Sequence, residues 1–341
     1  MFLEQIGWND FFSKQLLSGT PGRIASSNRE LFTVWTEAGE IVAHVSGRFR
    51  RTSQDWPCVG DWVVLREQSN IIDHILERKT KLSRKQPGKR MEEQLLAANV
   101  DVLFIVSGLD HDYNPRRLER YLVLAAESGA RPVILLNKAD LAAELGLDLD
   151  RIVQQTQQMC SHGPVLAVSA LAGDGLADLA ALVGLSETAA LIGSSGAGKS
   201  TILNRLLGED RQQTQPVRSG DHRGCHTTTA RELFMMPSGW LMLDLPGLRE
   251  LQLWVDPEQL ESSFDDLQDL AQSCRFRDCT HTREPGCAVL DAGLDSGRLS
   301  NYRKLQKELA YLDRKSDPKV AREARNRWKA IERSVRKHPK R

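Results

Sequence analysis

The spacing of the apolar residues changes near residue 90. Over residues 19 to about 82, short runs of alternating apolar and polar residues are separated by turns. Alternation over about 4–8 residues, with turns about every 8–12 residues, is typical of a small all-β barrel or sandwich. We therefore predict an OB-type β-barrel of about five strands, preceded by a short amphipathic segment over residues 1 to about 18.

From about Met91 the pattern predicts strands and helices in alternation, as in an α/β domain with a parallel sheet. The strand segments are continuous in apolar residues, as expected for strands that are covered on both faces. The predicted strands lie at 100–109, 131–140, 164–171, 188–193, 231–237 and 239–247. The predicted helices lie at 115–128, 150–160, 175–183 and 199–207.

Beyond residue 250 the apolar spacing is helical. We predict one helix at 257–271 and a second at 298–313, and the apolar face of the second carries Leu299, Tyr302, Leu305, Leu309 and Leu312. The predicted fold class is therefore multidomain. A lead-in and OB-type barrel occupy 1–85, an α/β domain occupies 91–250, and a small helical domain with a basic C-terminal tail occupies 251–341.

The composition is that of a soluble globular protein: 341 residues, of which 40% are hydrophobic and 27% are charged. No segment approaches about 18 uninterrupted apolar residues, and the amino terminus has no basic region before an apolar core. We therefore expect a cytoplasmic protein, with no membrane partner.

Positive charge is concentrated in two segments. Residues 78–90 contain seven Lys or Arg residues and no acidic residue. Residues 314–341 contain 12 Lys or Arg residues against 3 Asp or Glu residues, a net charge of +9, while the rest of the chain carries −8. Each segment is either an ordinary solvated surface or a surface that contacts nucleic-acid phosphates, and charge alone does not decide between them.

A phosphate-binding loop follows the predicted strand at 188–193. The run Gly193-Ser194-Ser195-Gly196-Ala197-Gly198-Lys199-Ser200-Thr201 fits G-x-x-x-x-G-K-[ST] between a strand and a helix. The glycines let successive N–H groups point into one concavity, and the start of the helix adds its positive dipole end. Lys199 would act on the β- and γ-phosphates, and the Ser200 hydroxyl would ligate Mg²⁺. The alternative is a chance glycine turn.

Asn137-Lys138-Ala139-Asp140 ends the predicted strand at 131–140 and predicts that the base is guanine. The Asp140 carboxylate can accept hydrogen bonds from the guanine N1–H and 2-amino groups, a pair of donors that adenine lacks. Asn137 would bond the base edge and brace the phosphate loop, while the Lys138 stem lies over the ring. Ser169-Ala170 would offer backbone N–H groups to O6 of the base. The alternative is a strand-end turn with a helix cap at Asp140.

Two later segments fit the parts of a nucleoside triphosphatase that sense the γ-phosphate. Thr228 and Thr229 are the candidates for a Mg²⁺ contact in a switch I loop. Asp244-Leu-Pro-Gly247 follows a predicted strand, so Asp244 would hold Mg²⁺ through water and the Gly247 N–H would face the γ-phosphate.

The order of these motifs is unusual. In ordinary small GTPases the phosphate loop comes first and the guanine-binding motifs come last. Here Asn137–Asp140 and Ser169-Ala170 precede the phosphate loop, and Asp244 follows it. The same sheet can form if the chain is circularly permuted between switch II and the strand that ends at Asn137. Switch II then leads directly into the last domain, so the nucleotide state should affect that domain.

That last domain contains Cys274, Cys279, His281 and Cys287. Three thiolates and an imidazole within 14 residues can form a closed tetrahedral Zn²⁺ site, which is a structural rather than a catalytic arrangement. The alternative is a set of buried or reactive cysteines beside an unrelated histidine.

With the permuted motif order, the OB-like leader and the Cys-Cys-His-Cys cluster, the chain resembles the bacterial ribosome small-subunit-dependent GTPase A family. The resemblance covers essentially the whole chain. It implies a protein that binds the small ribosomal subunit and its rRNA late in maturation, and we expect this protein to be a monomer. It also implies GTP hydrolysis to GDP that the subunit stimulates, with one structural zinc and with magnesium bound alongside GTP.

The resemblance also assigns residues that spacing leaves open. The family segment G-R-H-T-T-T matches 224–229, with Cys225 in place of the arginine, and places His226 near the attacking water as a catalytic residue beside Lys199. The alternative is a loop histidine without a catalytic role. Leu248 stands where many GTPases have a glutamine that orients this water.

Two other functions are compatible with parts of the chain. One is a P-loop kinase or ATPase, against which the Asn-Lys-x-Asp motif argues. The other is an RNA-binding protein that holds GTP only as a structural ligand, which would hydrolyse no more GTP when ribosomal subunits are added.

Overall fold

The computed structural model describes residues 2–16, 18–28, 30–52, 55–86, 93–160, 162–208, 231–245, 255–293 and 296–316. The chain forms two compact units, Met1–Arg84 with Leu95–Leu251, and Lys85–Gln94 with Gln252–Arg341. The predicted domains at 1–85, 91–250 and 251–341 stay predictions, because the first compact unit contains both the predicted barrel and the predicted α/β domain.

A closed five-stranded barrel forms the first part of the chain and confirms the predicted OB-type fold. Its strands are β1 (Thr20–Asn28), β2 (Leu31–Thr36), β3 (Gly39–Val45), β4 (Trp62–Leu65) and β5 (Ile71–Ile75). The order around the barrel is β1-β2-β3-β5-β4, and β4 pairs back onto β1. All neighbours are antiparallel except β3 and β5. Alternation is visible in β2, where Phe32 and Val34 are buried and Leu31 is exposed.

Short elements surround the barrel. A 3₁₀ turn at Leu3–Ile6 and the helix α1 (Asp10–Ser13) form the lead-in, and α2 (Gly47–Thr52) lies between β3 and β4. After the barrel, β6 (Lys81–Lys85) and β7 (Glu93–Ala98) form a two-stranded sheet. The basic segment 78–90 runs through β6, and its residues 87–90 lie outside the described part of the chain.

Among the described residues, the α/β part contains six strands and four α-helices in the order that the sequence predicts. The strands are β8 (Val102–Gly108), β9 (Arg131–Asn137), β10 (Val165–Ala167), β11 (Thr188–Gly193), β12 (Glu232–Met235) and β13 (Leu241–Asp244). The helices are α3 (Pro115–Ser128), α4 (Leu149–Met159), α5 (Leu176–Ala181) and α6 (Lys199–Leu207). Strands β8, β9 and β11 are almost fully buried, as their continuous apolar runs predict.

The sheet order explains how the permuted motifs come together. Its strands lie in the order β10-β9-β8-β11-β13-β12, all parallel except β12, which is antiparallel to β13. Strand β11, which leads into the phosphate loop, therefore lies between strands that precede it and strands that follow it in sequence. The carboxyl ends of β8, β9, β11 and β13 meet at one edge, where ligands bind in open α/β sheets.

Several predicted strands are longer than the observed ones. The predicted strand 131–140 ends at Asn137, because Lys138 adopts the left-handed conformation with φ of 65° and a 3₁₀ turn follows at Ala139–Leu141. The predicted strand 164–171 ends at Ala167, before a turn closed by Ser169 and Asp174. Within 239–247, Gly239 forms a turn with φ of 83° and the strand itself covers Leu241–Asp244.

The second unit is helical. It contains α7 (Pro257–Ser262), α8 (Asp265–Gln272), α9 (Ala288–Asp291) and α10 (Ser296–Ser316). The predicted single helix at 257–271 is wrong, because Phe264 leaves the helical conformation and is buried against Tyr302, with ring centroids 5.1 Å apart. The predicted apolar face of α10 is confirmed, since Leu299, Tyr302, Leu305, Leu309 and Leu312 are all buried. Among the helices that the structure describes, none combines the length and the hydropathy needed to cross a membrane.

Candidate functional site

The loop between β11 and α6 bends sharply, and glycines make the bend possible. Gly193 has a φ of 149°, and a Cβ there would lie 2.3 Å from the carbonyl oxygen of Val106. Gly198 has a φ of 97°, and a Cβ there would lie 2.1 Å from Nδ2 of Asn137. Ser195 and Gly196 are exposed at the tip, whereas Ala197 is buried. The loop therefore approaches β8 and the end of β9 more closely than a side chain would allow.

Lys199 is the first residue of α6 and folds back over this loop. Its Nζ donates to the carbonyl oxygens of Gly193 at 2.9 Å and Ser194 at 2.6 Å. Burial lowers the pKa of Lys199 to about 8, although the carboxylates of Asp244 and Asp112 oppose that shift. A bound phosphate would supply the negative charge that this largely desolvated ammonium group needs.

Asn137 joins the three segments that the sequence assigns to nucleotide binding. Its Nδ2 donates to the Ala197 carbonyl at 2.8 Å, and its Oδ1 accepts from the backbone N–H of Ala170 at 3.0 Å. The side chain is buried, with a relative exposure of 2%. Asp140 lies beside it and accepts a hydrogen bond from Oγ of Ser169 at 2.5 Å. The structure thus brings the Asn137–Asp140 motif, the Ser169-Ala170 turn and the phosphate loop to one place.

Two described residues belong to the predicted magnesium set. Ser200 follows Lys199 at the start of α6, with Thr201 next to it. Asp244 ends β13 and is paired in register with Leu191 of the neighbouring strand β11. Burial raises the pKa of Asp244, and the charge of Lys199 opposes that change. A hydroxyl and a carboxylate beside a phosphate loop are the hard oxygen ligands that Mg²⁺ prefers.

Several predicted site residues cannot be placed. His226, Thr228, Thr229 and Gly247 all lie outside the described residues, as do Cys225 and Leu248. The catalytic histidine and the switch contacts therefore stay predictions.

Two carboxylates that we did not identify from the sequence also lie at this edge of the sheet. Asp110 forms an ion pair with Lys138, with Oδ2 and Nζ 2.5 Å apart. Asp112 accepts a hydrogen bond from Oγ of Ser194 at 2.5 Å. They lie two and four residues after the end of β8, and acidic residues soon after a strand beside the phosphate-loop strand are a signal that could have indicated them.

The four predicted metal ligands form one cluster in the second unit. The ligand atoms of Cys274, Cys279, His281 and Cys287 all lie within 4.8 Å of one another. The sulfurs of Cys274 and Cys287 are 3.9 Å apart, and Nδ1 of His281 lies 3.6 Å and 3.4 Å from them. Tetrahedral zinc with Zn–S bonds of about 2.3 Å places two sulfurs about 3.8 Å apart. The residues therefore fit a metal ion of this kind.

The loop that carries these ligands is held by hydrogen bonds. His281 adopts the left-handed conformation with φ of 57°, and its carbonyl oxygen accepts a hydrogen bond from Arg303 of α10. Hydrogen bonds from the Thr280 hydroxyl and from backbone N–H groups lower the pKa of Glu284 well below its ordinary value. These contacts hold the backbone of the loop that carries His281.

The same combination of parts occurs in other proteins. The family model described as RsgA GTPase matches residues 75–254. A protein of Opitutus terrae named small ribosomal subunit biogenesis GTPase RsgA is 44% identical to this chain over an alignment of 356 positions. The alignment covers 97% of this chain and 96% of that relative. A protein of the same name from Methanosarcina acetivorans is 41% identical, over 98% of this chain and 92% of the relative.

Two solved structures are similar in fold as well as in sequence. YjeQ from Thermotoga maritima has a TM-score of 0.62 and 26% identity, over 85% of this chain and 98% of that chain. YloQ, described as a circularly permuted GTPase, has a TM-score of 0.60 and 25% identity, over 86% of this chain and 95% of that chain. The permutation predicted from the motif order is thereby confirmed. The match of the family model over more than half of the chain shows that this protein belongs to the RsgA GTPase family.

Proposed function

We propose that this protein is a GTP-hydrolysing factor that acts in the late maturation of the small ribosomal subunit. The observation that carries the proposal is the position of Asn137, whose amide bonds both the phosphate loop and the Ser169-Ala170 turn. This arrangement supports one site for a guanine base and its phosphates. The names of the relatives from Opitutus terrae and Methanosarcina acetivorans support the small subunit as the particle on which the protein acts.

In this proposal, each described segment binds one part of GTP. Asp140 accepts the N1–H and 2-amino groups of the base, with Ser169 holding its carboxylate. The backbone from Gly193 to Gly198 surrounds the phosphates, and Lys199 turns from the loop carbonyls towards the β- and γ-phosphates. The remaining predicted site residues line the site through their backbone or lie at its edge. They are Ala139, Ala170, Ser195, Ala197 and Thr201.

Ser200 and Asp244 would hold magnesium, together with Thr228 or Thr229. When bound, magnesium neutralises charge on the phosphate oxygens. His226 is the residue that we propose to orient the attacking water, because it matches the histidine of the family segment G-R-H-T-T-T; Leu248 has no polar group for this role. His226→Ala should keep GTP binding and subunit binding but lose stimulated hydrolysis. Stimulated hydrolysis that survives in this variant would assign the water to another residue.

The partners follow from the charges and the relatives. We propose that the basic segments 78–90 and 314–341 contact rRNA phosphates and that the protein is a cytoplasmic monomer. Within the described part of the first segment, Arg78 binds Asp61 through two hydrogen bonds, and Lys79 lies 3.0 Å from Asp101. The Cys274, Cys279, His281 and Cys287 cluster would hold one structural zinc ion.

The deciding experiment measures GTP hydrolysis with purified small subunits, with large subunits and with neither. Stimulation by small subunits alone supports the proposal. Lys199→Ala and Ser200→Ala should abolish the activity, whereas Lys304→Ala, an exposed change on α10, should leave GTP binding unchanged. GTP binding without stimulation by either subunit would favour an RNA-binding protein with a structural GTP, and preference for ATP would favour a P-loop kinase or ATPase.

A further inference from the structure

The loop between β8 and α3 lies beside both halves of the nucleotide site. It covers residues 109–114 and is anchored where the backbone N–H of Leu109 donates to the Asn137 carbonyl at 2.8 Å. Its two carboxylates point in different directions. Asp110 binds the lysine of the Asn137–Asp140 motif, and Asp112 binds the second residue of the phosphate loop.

The ion pair between Asp110 and Lys138 lies against the backbone at Gly108. Gly108 has no side chain, and a Cβ there would lie 2.7 Å from Oδ1 of Asp110 and 3.5 Å from Cδ of Lys138. Oδ1 of Asp110 also accepts from the backbone N–H of Asp112 at 3.0 Å. Although partial burial opposes it, these hydrogen bonds hold the pKa of Asp110 below its ordinary value. The carboxylate is therefore ionised and fixed before any ligand arrives.

Asp112 is held in the same way on the phosphate side. Its Oδ2 accepts from Oγ of Ser194 at 2.5 Å and from the backbone N–H of Gly108 at 3.3 Å. Its Oδ1 accepts from Arg117 of α3 at 2.6 Å. The guanidinium balances a negative charge that would otherwise stand close to the phosphates. The carboxylate can therefore hold Ser194 without strongly repelling the ligand.

We propose that Asp110 and Asp112 are two positioning residues of the nucleotide site with separate tasks. Asp110 holds Lys138 so that its stem is ready to cover the base. Asp112 holds Ser194 so that the phosphate loop is already shaped for the β-phosphate. This inference rests on the proposed GTP site. Its physical basis is that groups ordered before binding lose less conformational entropy when the ligand binds.

If Asp110 and Asp112 have separate tasks, their loss should change the affinities for GMP, GDP and GTP in different ways. GMP, GDP and GTP share the base, so loss of the Asp110 contact should weaken all three by the same factor. GMP lacks the β-phosphate that the loop surrounds, so loss of the Asp112 contact should weaken GDP and GTP but leave GMP almost unchanged. A role in folding alone would not distinguish the three ligands.

The test uses the full-length protein and measures Kd for GMP, GDP and GTP by competition against fluorescent GDP. Asp110→Asn keeps the acceptor for the Asp112 N–H and removes the charge that holds Lys138. We expect it to weaken all three ligands about threefold to tenfold. Asp112→Ala should weaken GDP and GTP by a similar factor and GMP less than twofold. Asp73→Asn, which breaks an exposed ion pair with Arg66 in the barrel, is the matched control and should change no Kd.

Two double-mutant cycles test whether each carboxylate acts through its partner. Lys138→Met keeps the apolar stem and loses the charge. The double variant of Lys138→Met and Asp110→Asn should bind each nucleotide no more weakly than the single variant with the lower affinity. Ser194→Ala removes only the hydroxyl and is paired with Asp112→Ala in the same way. It also serves as the second variant if Asp112→Ala does not fold.

Unchanged affinities in Asp110→Asn and Ser194→Ala would overturn the proposal, and so would fully additive effects in both cycles. Equal losses for all three ligands in Ser194→Ala would overturn the assignment of Asp112 to the phosphate half. These results differ from a failure of the proposed function, in which the wild-type protein itself would bind no guanine nucleotide.

Discussion

Asn137 is the residue on which the geometry of the nucleotide site depends most. Its amide makes two hydrogen bonds in opposite directions, and both partners belong to other segments of the site. Because the group is buried, loss of either partner would leave a polar atom without compensation, at a cost of about 1–3 kcal/mol. The absence of a side chain at Gly198 is what allows the loop to approach this amide. The two residues therefore define the site together.

Asp140 is the residue that should determine base specificity. Asp140→Asn should lower GTP affinity and shift preference towards xanthosine nucleotides, because an amide can donate to the 2-keto oxygen of xanthine. Competition of GTP, XTP and ATP against a fluorescent nucleotide measures the change. Asp150→Asn, an exposed acid on α4, should keep the original order. If the Asp140 variant keeps its full preference for GTP, this carboxylate does not recognise the base.

The motifs define residue type and spacing, and the structure joins their segments where the Asn137 amide bonds Ala197 of the phosphate loop and Ala170. The roles of these residues in nucleotide binding stay predictions. The contacts of Lys138 and Ser194 were not predictable in the same way. Their partners, Asp110 and Asp112, lie 28 and 82 residues away in the chain and become neighbours only through the order of β8, β9 and β11.

At the scale of elements, Arg23 connects the lead-in, the barrel and the strand that leads into the phosphate loop. It lies on β1 with a relative exposure of 2% and donates to the carbonyl oxygens of Ile6, Gly60 and Asn99 and to Oγ1 of Thr188. Burial lowers the pKa of Arg23 to about 10, while Asp101 and Asp61 oppose the shift. One cation thus donates to buried acceptors from four different segments of the chain.

Arg23→Met should therefore destabilise the protein by about 2–4 kcal/mol, since buried acceptors lose their donor while the desolvation cost of the cation is also removed. Denaturant unfolding monitored by tryptophan fluorescence measures the difference. Arg66→Met is the matched control, because it breaks an ion pair of which the arginine is half exposed, and its unfolding midpoint should stay close to that of the wild type. Equal stabilities for the two variants would show that the buried hydrogen bonds of Arg23 contribute nothing specific.

The metal centre belongs to the same scale, because its ligands hold a loop rather than a large core. We expect one zinc ion per chain in protein purified without chelator. Cys279→Ser should lose the metal and unfold the second unit locally, while GTP binding stays close to that of the wild type. Cys160→Ser, which changes a buried thiol in the first unit, should keep both. Metal analysis and limited proteolysis measure these outcomes, and absence of zinc in the wild-type protein would contradict the assignment.

The strands and helices of the α/β part were predicted in the right order, and their ends were predicted less well. The sequence of 257–271 carries one helical pattern, yet the helix is interrupted at Phe264. Phe264 is held by Tyr302 and by Arg298, whose guanidinium lies 4.7 Å from the ring centroid. Such an interruption depends on residues far along the chain, and local periodicity cannot indicate it.

At the scale of the whole molecule, the permutation determines which segment follows the last nucleotide-binding strand. Strand β13 ends at Asp244, and α7 of the second unit begins at Pro257, so the segment that we predict to be switch II lies in the chain between the GTPase sheet and the helices of the metal-containing unit. A change at the γ-phosphate would therefore be transmitted along the chain to that unit. The GTP-bound form should hold the small subunit more tightly than the GDP-bound form.

The charge distribution predicts that the affinity for the small subunit depends on the salt concentration. Residues 314–341 carry a net charge of +9, and each phosphate that a cation neutralises contributes roughly 0.7–0.9 to the log–log slope of affinity against salt. Deletion of 314–341 should lower small-subunit affinity and flatten this slope. Basal GTP hydrolysis should stay near the wild-type rate, because the nucleotide-site residues described above belong to the first unit.

Binding of the full-length and truncated proteins should be measured across a salt series, with a non-hydrolysable GTP analogue and with GDP. Large subunits serve as the control particle, because they carry rRNA phosphates but should not show the nucleotide dependence. Equal affinity of the two nucleotide states for small subunits would remove the switch mechanism. An unchanged slope after truncation would make the basic tail an ordinary solvated surface, and contact with rRNA would then have to come from the segment at 78–90.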